Sequence, residues 1–511
     1  MIRPQYILTL AALLPVACKP TQRTALVPKL PQQQQQTAPA ETTPAAETEK
    51  PAPAPRVVPS EAIVGVNAVI QNFNPVQPWE KEEAKRVSAL GVYLGNGRVL
   101  TTSNVADAAT YTEFSLPDAS RTATARVLRK DAELGLALLV LEHPEERDFF
   151  ATRTPLLLGD PLSLGDQAEV AGLVRGLNPV NIPLEAAAVE NGSVPRLSLR
   201  LAAPLPDGHA MGAPIVKGGR LVGLSTGYHD MQLTSINAEQ LARFLSQKSD
   251  DGLPLLGVQF SAMDDPAFCA YLKADTGLYI GKVLPGSAAE QAGLQVGDVL
   301  TKVEDMPIDN RGRCRHPLYG LFSASALMKT LKPLGETLSA TVVRNGETVE
   351  VSIPLNRDAA DNALFGTDKP GVQPRYAIWG GLIFQPLTET YLNAVRSRNN
   401  GNLPMEIQRL TETEKEVRER GYNEPVALTM VIPTPATMGY DNCRFCMVEA
   451  VNGKPARDFT EFLRLLDEPT PDGLVHFTLN KAPFNIYLDR AAAEAANEQI
   501  RARSIPKLRA E

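Results

Sequence analysis

From Ile63 onward the chain is written in short β-type runs divided by glycine and asparagine. Asn-Gly pairs at 96–97 and 345–346 each separate two such runs, and a third pair, 452–453, follows another. An Asn-Gly pair supplies two neighbouring residues that tolerate positive φ, the requirement of a two-residue turn whose twist matches its strands. GVYLGNGRVLTTS (91–103) therefore reads as two strands around a turn, and SATVVRNGETVEVSIPL reads the same way. ARVLRKD, LGLALLVLE, AEVAGLV, LSLRLAA and GAPIVKGGRLVGLSTG continue the pattern, which predicts a mainly β chain with a barrel pair or sandwich over 61–250. NAEQLARFLSQK (237–248) ends that region as a helix, with Ala238, Leu241 and Leu245 on one face and Asn237 as its cap.

The 511 residues allow three or four domains at roughly 150 each. Lys and Arg total 51 against 58 Asp and Glu, a net charge of −7, so nucleic acid is excluded as the expected partner. Five cysteines are too few for a disulfide-rich scaffold. Of the 42 prolines, eleven fall in the first sixty residues, which are built differently from the rest. Arg3 precedes the apolar run Tyr6–Ala17 and then Cys18, the layout of a secretory signal too short to span a bilayer. LPVAC resembles a bacterial lipobox, whose cysteine becomes lipidated, although Pro15 stands where leucine is usual. Residues 1–18 are thus expected to be an export signal with Cys18 as a membrane anchor; plain secretion is the alternative. Residues 19–60, rich in Pro, Gln, Ala, Thr and Glu, cannot bury enough surface to offset chain entropy and are expected to form a disordered tether.

Over 61–250 the sequence resembles the trypsin-like domain of the HtrA/Deg serine proteases. GVYLGNGRVLTTSNVADAA is similar to the stretch ending in the catalytic histidine, RKDAELGLALLVLE to that carrying the aspartate, and DGHAMGAPIVKGGRLVGLSTG to the nucleophile loop. The resemblance implies a double β-barrel, with the triad positions at Asn104, Gly135 and Ala210, all three substituted. Alanine has no nucleophilic atom, asparagine is no base near neutral pH, and glycine cannot orient an imidazole. Loss of a whole triad lowers kcat by about 10⁶, roughly 8 kcal/mol. Only the backbone oxyanion hole, at Gly208 and Ala210, is expected to persist. The corresponding test restores Asn104→His, Gly135→Asp and Ala210→Ser and expects cleavage to return. A rival reading keeps an active endopeptidase with an unorthodox site drawn from Ser103, His209, Ser225, His229 and Asp230. Exposed loop positions are the plainer reading of those side chains, as of His143.

TGLYIGKVLPGSAAEQAGLQVGDVLTKVEDMPI (276–308) resembles a PDZ domain, here placed at 253–356. By that resemblance Gly277, Leu278, Tyr279 and Ile280 form the carboxylate-binding loop, a peptide adds a strand beside Tyr279–Val283, and SASALMKTLKPLGE (323–336) is the helix walling the groove. RYAIWGGLIFQPLTETYL and MVEAVNGKPARDFTEFLRLLDE resemble a second, more divergent PDZ-like domain over 372–489, with Gly380, Gly381, Leu382, Ile383 and Phe384 at the loop position. Residues 490–511 are expected to be a tail with an exposed helix, and the whole arrangement resembles plant-type Deg proteases and their bacterial relatives.

Cys443 and Cys446 form a lone CxxC without a second ligand pair, so zinc is not expected; on a regular strand the two would face opposite ways. With Cys18 modified, four cysteines remain; the even number allows a Cys269–Cys314 pairing, but unpaired thiols are the expectation. No metal or cofactor is indicated. The function expected is non-catalytic: a pseudoprotease of the cell envelope, periplasmic or an outer-membrane lipoprotein, that binds extended or unfolded polypeptides and protein C-termini as a chaperone, scaffold or regulator. The family implies a homo-oligomer, a trimer or a multiple of it. The alternative partner is an active Deg protease, joined as an inactive subunit.

Overall fold

The Asn-Gly turns form as their chemistry requires. Asn96 and Gly97 take φ of 54° and 71°, and Asn345 and Gly346 take 53° and 88°. The computed structural model describes residues 59–174, 178–190, 192–205, 211–247, 252–503, 505 and 507–511. The expected signal, Cys18 and most of the tether lie outside these residues.

Strands β1 (Ile63–Ile70), β2 (Lys85–Gly95), β3 (Arg98–Thr102), β4 (Ala109–Ser115), β5 (Thr122–Asp131) and β6 (Leu136–Leu141) close into a barrel in the order β1-β2-β3-β6-β5-β4. Alternate residues point inward, so Val64, Val66, Val99, Phe114 and Leu139 fill its interior. A second barrel, ordered β10-β11-β12-β9-β8-β7, is built from β7 (Gln167–Val174), β8 (Asn178–Glu190), β9 (Arg196–Leu201), β10 (Pro214–Lys217), β11 (Arg220–His229) and β12 (Gln232–Asn237). Leu197, Leu199, Ile215 and Leu233 are fully buried there. Helix α1 (Ala238–Ser246) follows, capped by Asn237, whose Oδ1 accepts from Ala238 N at 3.0 Å. It buries Ala238, Leu241 and Phe244, while Leu245, expected on that face, is only half-buried beside the larger phenylalanine.

The next module contains β13 (Val258–Ser261), α2 (Pro266–Leu272), β14 (Leu278–Val283), α3 (Ala288–Gln291), β15 (Val299–Val303) and β16 (Met306–Pro307). It continues with β17 (Arg313–His316), β18 (Gly320–Ser323), α4 (Ala324–Leu327), β19 (Thr337–Arg344), β20 (Glu347–Pro354) and α5 (Asp358–Asp361). Its main sheet runs β13-β14-β15-β19-β20. The helix expected over 323–336 is a single turn, Ala324–Leu327, followed by irregular turns in which Thr330 N and Leu331 N both donate to Leu327 O. Tyr319 of this module donates to Glu239 Oε2 of α1 at 3.1 Å, tying it to the second barrel.

The last module holds β21 (Tyr376–Trp379), β22 (Leu382–Pro386), α6 (Glu389–Arg398), α7 (Met405–Glu412), α8 (Glu414–Glu419), β23 (Val426–Val431) and β24 (Cys446–Val451). After these come β25 (Lys454–Pro455), α9 (Phe459–Asp467), β26 (Leu474–Leu479), β27 (Asn485–Asp489), α10 (Arg490–Arg503) and β28 (Arg509–Ala510). The sheet order is β27-β26-β24-β23-β22-β21-β28. The expectation of an exposed tail is corrected here. Ala493, Ala496 and Ile500 of α10 are buried, and β28 pairs with β21 through Tyr376–Ala510 and Ala377–Arg509. The alanines at close spacing are a packing stripe that lets the helix approach the sheet. This module also docks on the β1–β2 loop, where Gln385 Nε2 donates to Pro75 O at 2.9 Å and the Trp79 and Tyr376 rings lie 5.8 Å apart.

All four described cysteines are free thiols. Cys443 and Cys446 do not face opposite ways, since Phe445 at φ 59° breaks the pleat and both enter one core. Burial pushes the Cys446 thiol up to about 12, which makes it a poor thiolate. No described helix is long and apolar enough to cross a membrane.

Candidate functional site

Two of the three triad positions are brought together at the seam of the first barrel. Asn104 follows β3 in a short 3₁₀ turn, and the preceding Ser103 N donates to Gly135 O at 3.0 Å. The Asn104 carboxamide oxygen accepts from the Thr102 hydroxyl, so the residue is engaged locally and offers no base. Residues 206–210, with Gly208, His209 and Ala210, lie outside the described residues, and the oxyanion-hole expectation lies there with them. The chain resumes beside the same seam. Met211 O accepts from Leu90 N at 2.8 Å, and a Cβ on Gly212 would stand 1.9 Å from Leu90 O.

Gly135 is more than a missing carboxylate. It sits at φ +75°, where a side chain is strained, in a turn shaped by Asp131, whose Oδ1 accepts from Glu133 N and Leu134 N at 3.0 and 2.9 Å. Burial pushes the Asp131 carboxyl up, partly offset by these two N–H donors. A Cβ at position 135 would point toward Arg196, with Nη2 at 3.6 Å and Nη1 at 3.8 Å. The half-buried Arg196 donates through Nη1 to Thr226 Oγ1 at 2.8 Å and through Nη2 to Glu133 O at 3.1 Å. A cation therefore lies beside the position at which the resemblance expects the orienting anion of a triad. Nothing in the sequence around Arg196 signals this, because it comes from another strand.

The relocated site is not assembled. Ser225 is fully buried with its hydroxyl directed at Gly227 O, whereas His229 and Asp230 are exposed at the β11–β12 hairpin tip. Four residues along a strand put His229 roughly 13 Å from Ser225. Ser103 is buried, and His143 is exposed beside Glu145. Among the described residues no histidine hydrogen-bonds a serine, threonine or cysteine side chain.

The expected peptide loop of the first PDZ module needs correction. Gly277, Leu278, Tyr279 and Ile280 open β14, which is an interior strand. Tyr279–Val283 pairs with β13 on one side; on the other, Leu278 and Tyr279 pair with Leu300 and Val299 of β15, and Ile280 bonds Asp298 O and Gly297 N just before it. No strand can be added there. The free edge belongs to β13, and the loop that enters it is Leu255-Leu256-Gly257-Val258. The N–H groups of Leu256 and Gly257 have no acceptor among the described residues, while their carbonyls accept from Ala289 and Leu284. Gly257 is obligatory: its φ is +70°, and a Cβ would lie 2.2 Å from Ser287 Cβ. Beside this loop lies a cavity of about 1050 Å³, walled by Leu256, Phe260, Ser325, Leu364 and Phe365 among others. The sequence carries a signal for this loop in PLLGV, two apolar residues and a glycine at the mouth of a strand, but the longer motif downstream outweighs it.

The second loop position offers no open strand edge. Gly380 and Gly381 form the β21–β22 turn, with Gly380 N bonded to Asn497 Oδ1 at 2.8 Å. Leu382, Ile383 and Phe384 are fully buried on β22, between β21 and β23. Helix α10 fills the space above the turn, and β28 covers the outer edge of β21.

Two closed six-stranded barrels followed by two such modules define a trypsin-like protein with PDZ domains. Family models described as PDZ domain match residues 245–315 and 367–510. The chain is 24% identical over 407 residues to Protease Do-like 2, chloroplastic, of Arabidopsis thaliana, covering 76% of this chain and 65% of that protein. It is 25% identical over 308 residues to the periplasmic pH-dependent serine endoprotease DegQ of Escherichia coli, covering 57% and 62%. A solved structure, HtrA-type protease AlgWS227A with decapeptide, aligns over 59% of this chain and 97% of its own with a TM-score of 0.44 at 18% identity. The chain thus carries PDZ domains and is similar over much of its length to Deg-type serine proteases.

Proposed function

We propose that this protein is an exported HtrA/Deg-type pseudoprotease whose working site is the first PDZ groove. It binds extended polypeptides by their C-termini, as a chaperone, scaffold or regulatory subunit in the cell envelope, tethered through Cys18 and assembled as a homo-oligomer. One observation carries the reading: the unpaired edge of β13, entered by a loop with two free N–H groups, borders a roomy cavity. An extended peptide satisfies such an edge by main-chain hydrogen bonds, and free N–H groups in succession suit a carboxylate. The cleft supports the non-catalytic half of the proposal, since Asn104 is locally bonded and the Arg196 guanidinium lies beside Gly135. The test measures casein degradation and binding of a fluorescent decapeptide on the same purified protein. Binding without cleavage is the expected result. Casein turnover that disappears on changing Ser225 or His229 would reverse the reading.

A further inference from the structure

The cavity beside β13 has one lining residue that comes from neither PDZ module nor the segments joining them. It is Glu133, in the turn between β5 and β6 of the first barrel. Its carboxylate lies 3.5 Å from Arg357 Nη1 and 4.0 Å from Lys329 Nζ, and the three side chains are 29–31% exposed. Among the described residues these are the only carboxylate contacts either cation makes within 4.0 Å. The backbone of Glu133 is pinned, its N–H by Asp131 Oδ1 and its carbonyl by Arg196 Nη2. Only the side chain has to swing for the carboxylate to leave.

The wall also holds Lys282, paired with Glu414 at 2.8 Å, together with Lys369 and Glu389. With Lys329 and Arg357, a loop offering free N–H groups and apolar walls, the cavity suits an extended peptide ending in a free carboxylate after an apolar residue. We propose that Glu133 is an internal carboxylate that occupies the Lys329–Arg357 cation pair of this groove, and that a peptide C-terminus binds by displacing it. The inference rests on the first groove being the peptide site. It adds that the turn carrying the old aspartate position now supplies a competitor for the ligand.

The experiment uses the full chain and two fluorescein-labelled decapeptides of one sequence ending in leucine, one a free acid and one a C-terminal amide, read by anisotropy. Glu133→Gln removes the competing charge without disturbing the pinned backbone. It is expected to tighten binding of the acid by about three- to fivefold and to leave the amide unchanged. Lys329→Met in the Glu133→Gln background is expected to reduce that preference for the acid. Equal affinity of the acid for parent and Glu133→Gln would overturn the internal competitor while leaving the groove reading intact. An equal gain for acid and amide would also overturn it, because the effect would not be charge competition. Failure of both proteins to bind either peptide would remove the groove reading, and this inference with it.

Discussion

The triad cleft and the first PDZ groove meet at one turn, Asp131–Gly135, but they rely on different atoms. On the proposed reading the cleft depends on side chains, so three substitutions would remove its chemistry while the barrels that frame it stay closed. The proposed groove rests chiefly on main-chain N–H and C=O groups and one glycine, with side chains tuning it, and such a frame tolerates side-chain drift. Function of the first kind is lost one residue at a time; function of the second kind persists as long as the strand edge stays open.

The sharpest way to break that contrast is to rebuild the cleft. Asn104→His, Gly135→Asp and Ala210→Ser together are now expected to remain inert against casein, contrary to the expectation from sequence alone. An aspartate introduced at position 135 would carry strain at φ +75° and meet the Arg196 guanidinium about 3.6 Å from its Cβ, so it would pair with arginine instead of orienting the new histidine. A serine-protease histidine without its aspartate loses about 10⁴ in kcat. Adding Arg196→Met to the triple variant is expected to raise turnover by a large part of that factor. Equal activity of the triple and quadruple variants would show that the guanidinium does not stand in the way.

A smaller effect tests the groove. Gly257→Val sets a β-branched side chain at φ +70° against Ser287 Cβ, where no room exists, and Gly257→Ala does so less severely. Straightening the loop would misalign both free N–H groups, so the valine variant is expected to lose at least about tenfold in decapeptide affinity. Alanine is expected to fall between it and the parent. Melting curves run alongside separate lost binding from lost folding. Undiminished binding by a folded valine variant would place the peptide elsewhere.

Much of this is legible in the sequence for physical reasons. The Asn-Gly pairs at 96–97 and 345–346 dictate hairpins locally, and the β-type runs around Asn104 and Gly135 carry enough pattern to place the first barrel. What is not legible depends on contacts distant in sequence. Arg196 lies 61 positions from Gly135 (196 − 135) and reaches it only because the two barrels pack together. The open strand edge is misplaced from sequence because Gly277–Ile280 and Leu255–Val258 are both glycine-containing strand entries; only the sheet order shows which strand is interior. The alanine-rich segment after Arg490 has mixed charge and little apolar bulk, so its burial becomes visible only against the Gly380 turn.

The second PDZ module supplies the smallest and most local prediction, because its outer edge is already closed. Ile378 N donates to Leu508 O at 2.7 Å, β28 continues the pairing, and Arg509 Nη1 bonds Asp467 at 2.7 Å. Removing Leu508–Glu511 uncovers the site that Leu508 fills and leaves the β21 edge unpaired. One buried leucine contributes about 1.5–3 kcal/mol and each lost hydrogen bond about 1 kcal/mol, so the local cost is about 3 kcal/mol. The exposed surface salt link adds little. Amide exchange at Tyr376–Ile378 is expected to accelerate by about a hundredfold, while exchange in β13 and β14 and peptide affinity of the first groove stay as they are. An unpaired edge of this kind also invites association, so the truncated chain is expected to self-associate more readily than the parent in sedimentation. Unchanged exchange at Tyr376–Ile378 would mean that β28 does not hold the second module closed, and the contrast between an open first edge and a sealed second one would disappear.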